Sequence, residues 1–198
     1  MIKRLTLKFI KQIPFNFLKI ILYRKLFGYQ IGKGVKIGKA IINCKKVSIG
    51  NNVYIANNNV FSCNEISIGC NTSIHSGNTF IGNGKFVVGD NSRIINKHHF
   101  DLWNSITIGN NTWVAGRNSE FWTHGSIHTK TGKDLSITIG DYVYIGSASR
   151  FAPGTKISSF NLVAMGSVVS GVFRMDKTLI LGNPANVIKQ DIDWRKNW

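Results

Sequence analysis

His124 stands in Phe121-Trp122-Thr123-His124-Gly125, and His128 follows four residues on. Histidine, with an ordinary pKa of about 6.5, takes a proton at neutral pH and returns it. Held in an aromatic-walled loop beside a rigid scaffold, His124 is placed to activate a hydroxyl for attack on a carbonyl. The plain alternative is a solvated histidine in a polar turn. Cys44, Cys63 and Cys70 form no CxxC pair and sit in no nucleophile motif. They are expected to be buried free thiols in a reducing compartment, with no disulfide, zinc knuckle or acyl-cysteine.

The elements that must position this loop announce themselves by a six-residue period. From Ile139 an apolar residue recurs at every sixth place, through Ile145, Phe151, Ile157, Val163 and Val169. The column runs backwards through Val114 and Ile108, Ile94 and Val88, Phe80, Ile74 and Ile68, Phe61, Ile55 and Ile49, and Ile37 and Ile31. A helix repeats every 3.6 residues and a flat strand every two, so neither gives six. A coil with three short faces does, because residues six apart then point the same inward way and stacked coils bury one column. Small or β-branched residues four places later, such as Val53, Thr72, Ser92, Thr112 and Ser149, suit the tight corners. Glycines directly after the aliphatic residue suit sharp turns.

The intervals between these glycines show where the prism is interrupted. Gly50 to Gly69 is 19 residues, Gly69 to Gly89 and Gly89 to Gly109 are 20 each, and Gly109 to Gly140 is 31. Three hexads need 18, so the last interval carries thirteen surplus residues, expected as a loop within 117–136. Loops on a rigid repeat scaffold carry function disproportionately.

One domain accounts for the 198 residues,. Its parts are a basic amphipathic helical segment over 1–28, the solenoid over 29–175, and a tail or short helix over 176–198. The net charge of +16 belongs to one end: twelve bases precede Glu65, the first acid, and the remaining thirteen bases face nine acids. That distribution argues against a nucleic-acid groove along the molecule. Two short helices divided at Pro14, the proline in the first turn of the second, are expected in 1–28. Ile2, Leu5, Phe9 and Ile13 fit one apolar stripe and Phe15, Leu18, Leu22 and Leu26 another,. Such stripes either meet a membrane surface or cover the open end of the solenoid, and a wide stripe does both. Absence of a cleavable leader pattern or a bilayer-long apolar run makes cytoplasmic residence the default expectation, with peripheral contact on the inner face of the membrane following only from the first reading of those stripes.

The hexads, the Thr-His loop, Ile137-Thr-Ile-Gly-Asp-Tyr-Val-Tyr-Ile-Gly146, Val163-Ala-Met-Gly-Ser-Val-Val169 and Gly182-Asn-Pro-Ala-Asn-Val-Ile-Lys189 together resemble the hexapeptide-repeat acyltransferases. Within that group the motif order is similar to the galactoside and maltose acetyltransferases and to the sugar O-acetyltransferases of capsules and lipopolysaccharide. The likeness covers about residues 31–189 and implies a left-handed parallel β-helix, a homotrimer, and acetyl-CoA held in clefts between neighbouring prisms. It implies that His124 is the general base for direct acetyl transfer to a sugar hydroxyl, with no metal. It points to Asn96, in Ile94-Ile95-Asn96-Lys97-His98-His99, as the residue orienting the acceptor, one residue out of register, with His98 or His99 as substitutes. Trp122 and Trp103 are candidates to stack on a sugar ring, or else packing residues. Gly146, Ser147 and Ala148, then Ala164, Gly166 and Ser167, match the positions that pass the pantetheine arm. Arg150, Lys156, Arg174, Lys177 and Lys189 are the local cations for phosphate. Ser170-Gly171 replaces the family's usual Thr-Lys, and Asn186 stands where an arginine is common.

Two rivals use the same scaffold. A zinc enzyme of the gamma-carbonic-anhydrase type needs three imidazoles per metal, two of them spaced H-x4-H by resemblance. Here His124 and His128 are H-x3-H, and the chain has five histidines. A non-catalytic β-helix scaffold at a membrane surface is the other.

Overall fold

A hexad has room for a strand of two residues and a turn, and that is what most repeats form. The computed structural model describes residues 2–125 and 134–196, where short strands stack into sheets of eight, nine and seven, parallel throughout except for the last strand of the nine. These are the three faces of a prism, a parallel β-solenoid as the hexads require. Ile31, Ile49, Ile68, Val88, Ile108, Ile139 and Ile157 line the first face; Ile37, Ile55, Ile74, Ile94, Val114, Ile145 and Val163 line the second. All are buried. On the third face, Phe61, Phe80, Phe100, Phe121 and Phe151 stack with ring centroids 4.4–4.6 Å apart. Phe100 and Phe121 were absent from the sequence column: Phe100 stands one hexad after Ile94 and keeps the count, whereas Phe121 falls just where the count slips after Val114.

That slip has two parts. Phe121 follows Val114 by seven residues, one too many, while Ile139 follows Phe121 by eighteen, twelve too many. Trp113–Arg117 and Glu120–Phe121 are strands of the second and third faces, so within the expected 117–136 the excursion begins at Trp122.

Corner residues form ladders that satisfy backbone donors. At the corner between the first and second faces, the Ser92 amide donates to Thr72 Oγ1 (3.1 Å), Thr112 to Ser92 Oγ (3.0 Å) and Val143 to Thr112 Oγ1 (3.0 Å). Between the second and third faces, the amides of Asn78, His98, Ser119 and Ser149 donate to Asn59 Oδ1, Asn78 Oδ1, His98 Nδ1 and Ser119 Oγ. Each such bond is worth about 1 kcal/mol, and a buried N–H left without one costs more. Small polar corners therefore do more than save space.

Helix α1 spans Ile2–Gln12 and α2 spans Asn16–Phe27. Pro14 lies in the link between them rather than in the first turn of α2, whose cap is the extended Phe15. The α2 C-terminus closes on Gly28, at φ +66°, a left-handed residue that glycine adopts at no steric cost. The stripes divide: Ile13 and Leu22 pack on the solenoid core beside the buried Leu7, Ile10, Lys19 and Tyr23, while Leu5, Phe9, Phe15, Leu18 and Leu26 are exposed. The reason lies in the first coil, whose sheet edge has no coil before it and presents unpaired backbone groups. Lys19 Nζ donates to the carbonyls of Ile37 (3.1 Å) and Gly38 (2.8 Å), Asn16 Nδ2 to that of Val35 (2.8 Å), and Lys3 Nζ to that of Cys44 (3.2 Å). Capping an edge needs polar side chains, so hydropathy alone does not mark the face that does it.

At the other end the second face continues beyond residue 175. Leu179–Gly182 pairs in parallel with Leu162–Val163, and Ala185–Lys189 returns antiparallel to it. Among the described residues 176–196 form strand and turn, with no helix. No helix of the described residues is long and apolar enough to cross a membrane.

Candidate active site

The excursion starts at the edge where the third face turns to the first, and the coil below anchors it. Asp101 pairs in register with Ile81 just past Phe100, so its carboxylate stands beside the start of the loop. Oδ2 accepts the Thr123 amide at 3.0 Å, the His124 amide at 3.2 Å and the His124 ring Nδ1–H at 2.8 Å. Thr123 is fully buried; its hydroxyl donates to the Asp101 carbonyl (2.7 Å) and accepts the Asn104 amide (2.8 Å). Thr123 is thus the bolt that fixes the first turn of the loop. Burial raises the Asp101 carboxyl, but the hydrogen bonds from the His124 ring and from the Thr123 and His124 amides outweigh it and hold it below the usual carboxylate range,. An ionised Asp101 on Nδ1–H leaves His124 Nε2 as the lone-pair nitrogen, the atom able to take a proton. A pocket of about 530 Å³ opens there, lined by Asp101, Trp103, Asn104, His124, Gly125 and Leu135.

Sequence reasoning passed over Asp101. The available signal was its coil position: it sits one step past the Phe100 column residue, as Trp122 sits past Phe121. Trp122 packs between two imidazoles, 5.1 Å from the His99 ring centroid and 5.6 Å, nearly edge-on, from that of His124. Its Nε1–H donates to Glu120, which also holds Arg150. Trp103 is exposed at the pocket wall. His128 lies outside the described residues.

His98 is a correction. Its side chain is 1% exposed and its Nδ1 accepts the Ser119 amide at 3.0 Å, so it is a rung of the corner ladder and touches no acceptor. It lies four residues after Ile94, the corner position, which was readable from the repeat. Burial, partly offset by the nearby Val114 carbonyl, pushes its pKa down to about 4. The unfolded chain then binds a proton below about pH 6.5 that the folded chain refuses, so stability falls as pH drops from about 6.5 to 4, by about 3 kcal/mol in full. Urea unfolding of His98→Asn, which places there the residue of the two coils below, is expected to lose most of that acid slope. An unchanged slope would contradict a buried neutral ring.

Asn96 and the predicted coenzyme positions lie together on another edge, between the second and third faces. Asn96 Oδ1 accepts the Ser76 amide at 3.0 Å and is not brought to His124 within the chain. Ser147, Ala148, Ala164 and Gly166 are at least partly exposed along that edge. Gly146 is buried, and a Cβ there would stand 2.5 Å from the Met165 nitrogen, so coil stacking explains this glycine. Ser167 points inward, its hydroxyl on the Ala164 carbonyl at 2.8 Å, and cannot line a slot. Lys189 is exposed opposite Leu179, at the start of the second face and away from this edge. Among the described residues no three His, Cys, Asp or Glu side chains converge to hold a metal ion.

A three-sided parallel solenoid interrupted after Phe121, with a carboxylate-held histidine at the break and small residues along another edge, defines a class of repeat scaffold that carries an imidazole on a loop. In sequence and fold the chain is similar to hexapeptide-repeat acetyltransferases. No protein-family model matches it. It is 30% identical over 131 residues to WbbJ of Escherichia coli strain K12, named for lipopolysaccharide biosynthesis O-acetyl transfer. That match covers 58% of this chain and 65% of the relative, somewhat under two thirds of the curated protein's length. Solved structures share the fold: NeuO, a polysialic-acid-specific acetyltransferase, at TM-score 0.58 and 19% identity over 84% of this chain and 81% of that one. AntD, an N-acyltransferase of Bacillus cereus seen with dTDP and coenzyme A, aligns at TM-score 0.52 and 22% identity over 86% and 88%. A hexapeptide-repeat acetyltransferase of Vibrio cholerae aligns at 0.51 and 22% over 93% and 86%.

Proposed function

We propose that this protein transfers an acetyl group from acetyl-CoA to a hydroxyl of a sugar, in the building of a surface polysaccharide such as capsule or lipopolysaccharide. The observation that carries the reading is the 2.8 Å contact between His124 Nδ1 and Asp101 at the mouth of an open pocket. When bound, acetyl-CoA supplies the activated carbonyl. His124 Nε2 takes the acceptor proton as the hydroxyl oxygen attacks that carbon, and Asp101 stabilises the imidazolium that forms. The C–S bond breaks as the tetrahedral adduct collapses, and the imidazolium returns the proton to the departing sulfur. Cys44 and Cys63 are buried and no free thiol of the described residues lines the His124 pocket, so direct transfer is the economical route.

Ser147, Ala148 and Gly166 fit a thin pantetheine arm: Gly166, at φ +72°, has nothing within 4 Å of where a Cβ would be. Their edge and the His124 edge bound the third face from opposite sides. A working site therefore takes its base from one copy and its coenzyme edge from another, consistent with the trimer the resemblance implies.

Incubation with acetyl-CoA and a panel of mono- and oligosaccharides, following free thiol, tests the reading. Acceptor-dependent thiol release is expected, together with thermal stabilisation by acetyl-CoA; neither appearing at millimolar ligand would sink it in favour of a bare scaffold. In the same assay Asp101→Asn is expected to lower kcat roughly 10- to 100-fold by loosening the ring orientation, with the KM for acetyl-CoA little changed. A KM defect alone would reassign Asp101 to binding.

A further inference from the structure

The N-terminal helices leave a second apolar face that the solenoid does not use. At 100° per residue, Leu5 and Phe9 stand on the side of α1 opposite the buried Leu7 and Ile10. Phe17 and Ile21 stand opposite the buried Lys19 and Tyr23 on α2. All four are exposed, Phe9 by 68% and Phe17 by 61%, with Phe15 and Leu18 beside them. Large aromatic and aliphatic side chains in open solvent at this density mark a binding surface.

We infer that this face docks on an anionic lipid bilayer, with the apolar side chains entering the acyl boundary and the surrounding bases meeting phosphate headgroups. Charge selects this occupant. Lys8, Arg24 and Lys25 are exposed on the same two helices, and Lys33, Lys36, Lys39, Lys45 and Lys46 are exposed on the first coils. No acid occurs before Glu65. A second copy of this chain would bring an equally basic end against the first. Nucleic acid would use the lysines and leave Leu5, Phe9, Phe17 and Ile21 in water. An anionic membrane rewards both sets, since each base near its surface and each buried methylene adds attraction. The edge-capping bonds of Lys3, Asn16 and Lys19 fix the helices to the prism, so the face is presented as a rigid plate. The inference is independent of the acetyltransfer reading.

Flotation of the full chain with vesicles tests it, using phosphatidylglycerol mixed into phosphatidylcholine against phosphatidylcholine alone. The wild-type chain is expected to float with the anionic vesicles only. Phe9→Ser/Phe17→Ser/Ile21→Ser and, separately, Lys8→Glu/Lys25→Glu are each expected to reduce the bound fraction roughly tenfold or more. Raising salt to about 0.5 M should weaken the wild-type chain while leaving a residue of apolar binding. These side chains are solvent-exposed, so folding is checked by an unchanged melting temperature. Equal flotation on neutral vesicles, no flotation at all, or variants that float like the wild type would overturn the inference. So would a fall in oligomer mass by light scattering in the triple-serine variant, which would make the face a contact between copies.

Discussion

Replacing His124 with alanine is expected to lower kcat for acetyl transfer by roughly 10²- to 10⁴-fold, the range a placed general base contributes. The fold should not notice. The ring is half exposed, and Asp101 keeps the Thr123 and residue-124 amides when the imidazole is gone. Acetyl-CoA affinity should also survive, because the proposed coenzyme edge lies across the third face. The discriminating measurement is therefore split: coenzyme binding by calorimetry near the wild-type value, turnover by thiol release nearly abolished. If turnover persists, His124 is not the base and His128 becomes the candidate. His98 is no longer one, since it is sealed into the corner ladder.

How far the sequence carries this picture depends on what each residue answers to. Column residues answer to one demand, an apolar side chain every six, and Ile31 through Val169 are buried as that demand requires. Loop position was legible as a failed count, and only its start within 117–136 was left open, because the single extra residue before Phe121 hides inside strands. Asp101 and His98 were misjudged for a shared reason. Their places in the coil, one step past Phe100 and four past Ile94, were readable from the repeat, but the partners that set their roles, Thr123 with His124 and Ser119, sit in the neighbouring coil some twenty positions away. The helix face on the solenoid was hidden for another reason: Lys19 and Asn16 look solvated by composition, yet an unpaired sheet edge offers carbonyls that only donors can satisfy.

The division of the proposed site between edges leads to a result that loss-of-function variants alone cannot give. His124→Ala removes the base but leaves the edge carrying Ser147, Ala148 and Gly166. Ala164→Trp, at a partly exposed position on that edge, should block the coenzyme slot while leaving the base. Either protein alone is expected to be nearly inactive. Co-expressed and mixed at random in a closed ring of copies, about a quarter of the shared sites would join an intact base from one chain to an intact slot from another. Activity should then return to about that fraction of the wild-type value. A site wholly within one chain predicts no recovery, because every chain carries one lesion. Recovery would tie activity to assembly directly, and it would explain why Asn96 and His124 stay apart in the single chain. Asn96 would face the neighbour's histidine, and Asn96→Ala should then behave as an edge lesion, rescued by the Ala164→Trp chain no better than a second edge lesion is.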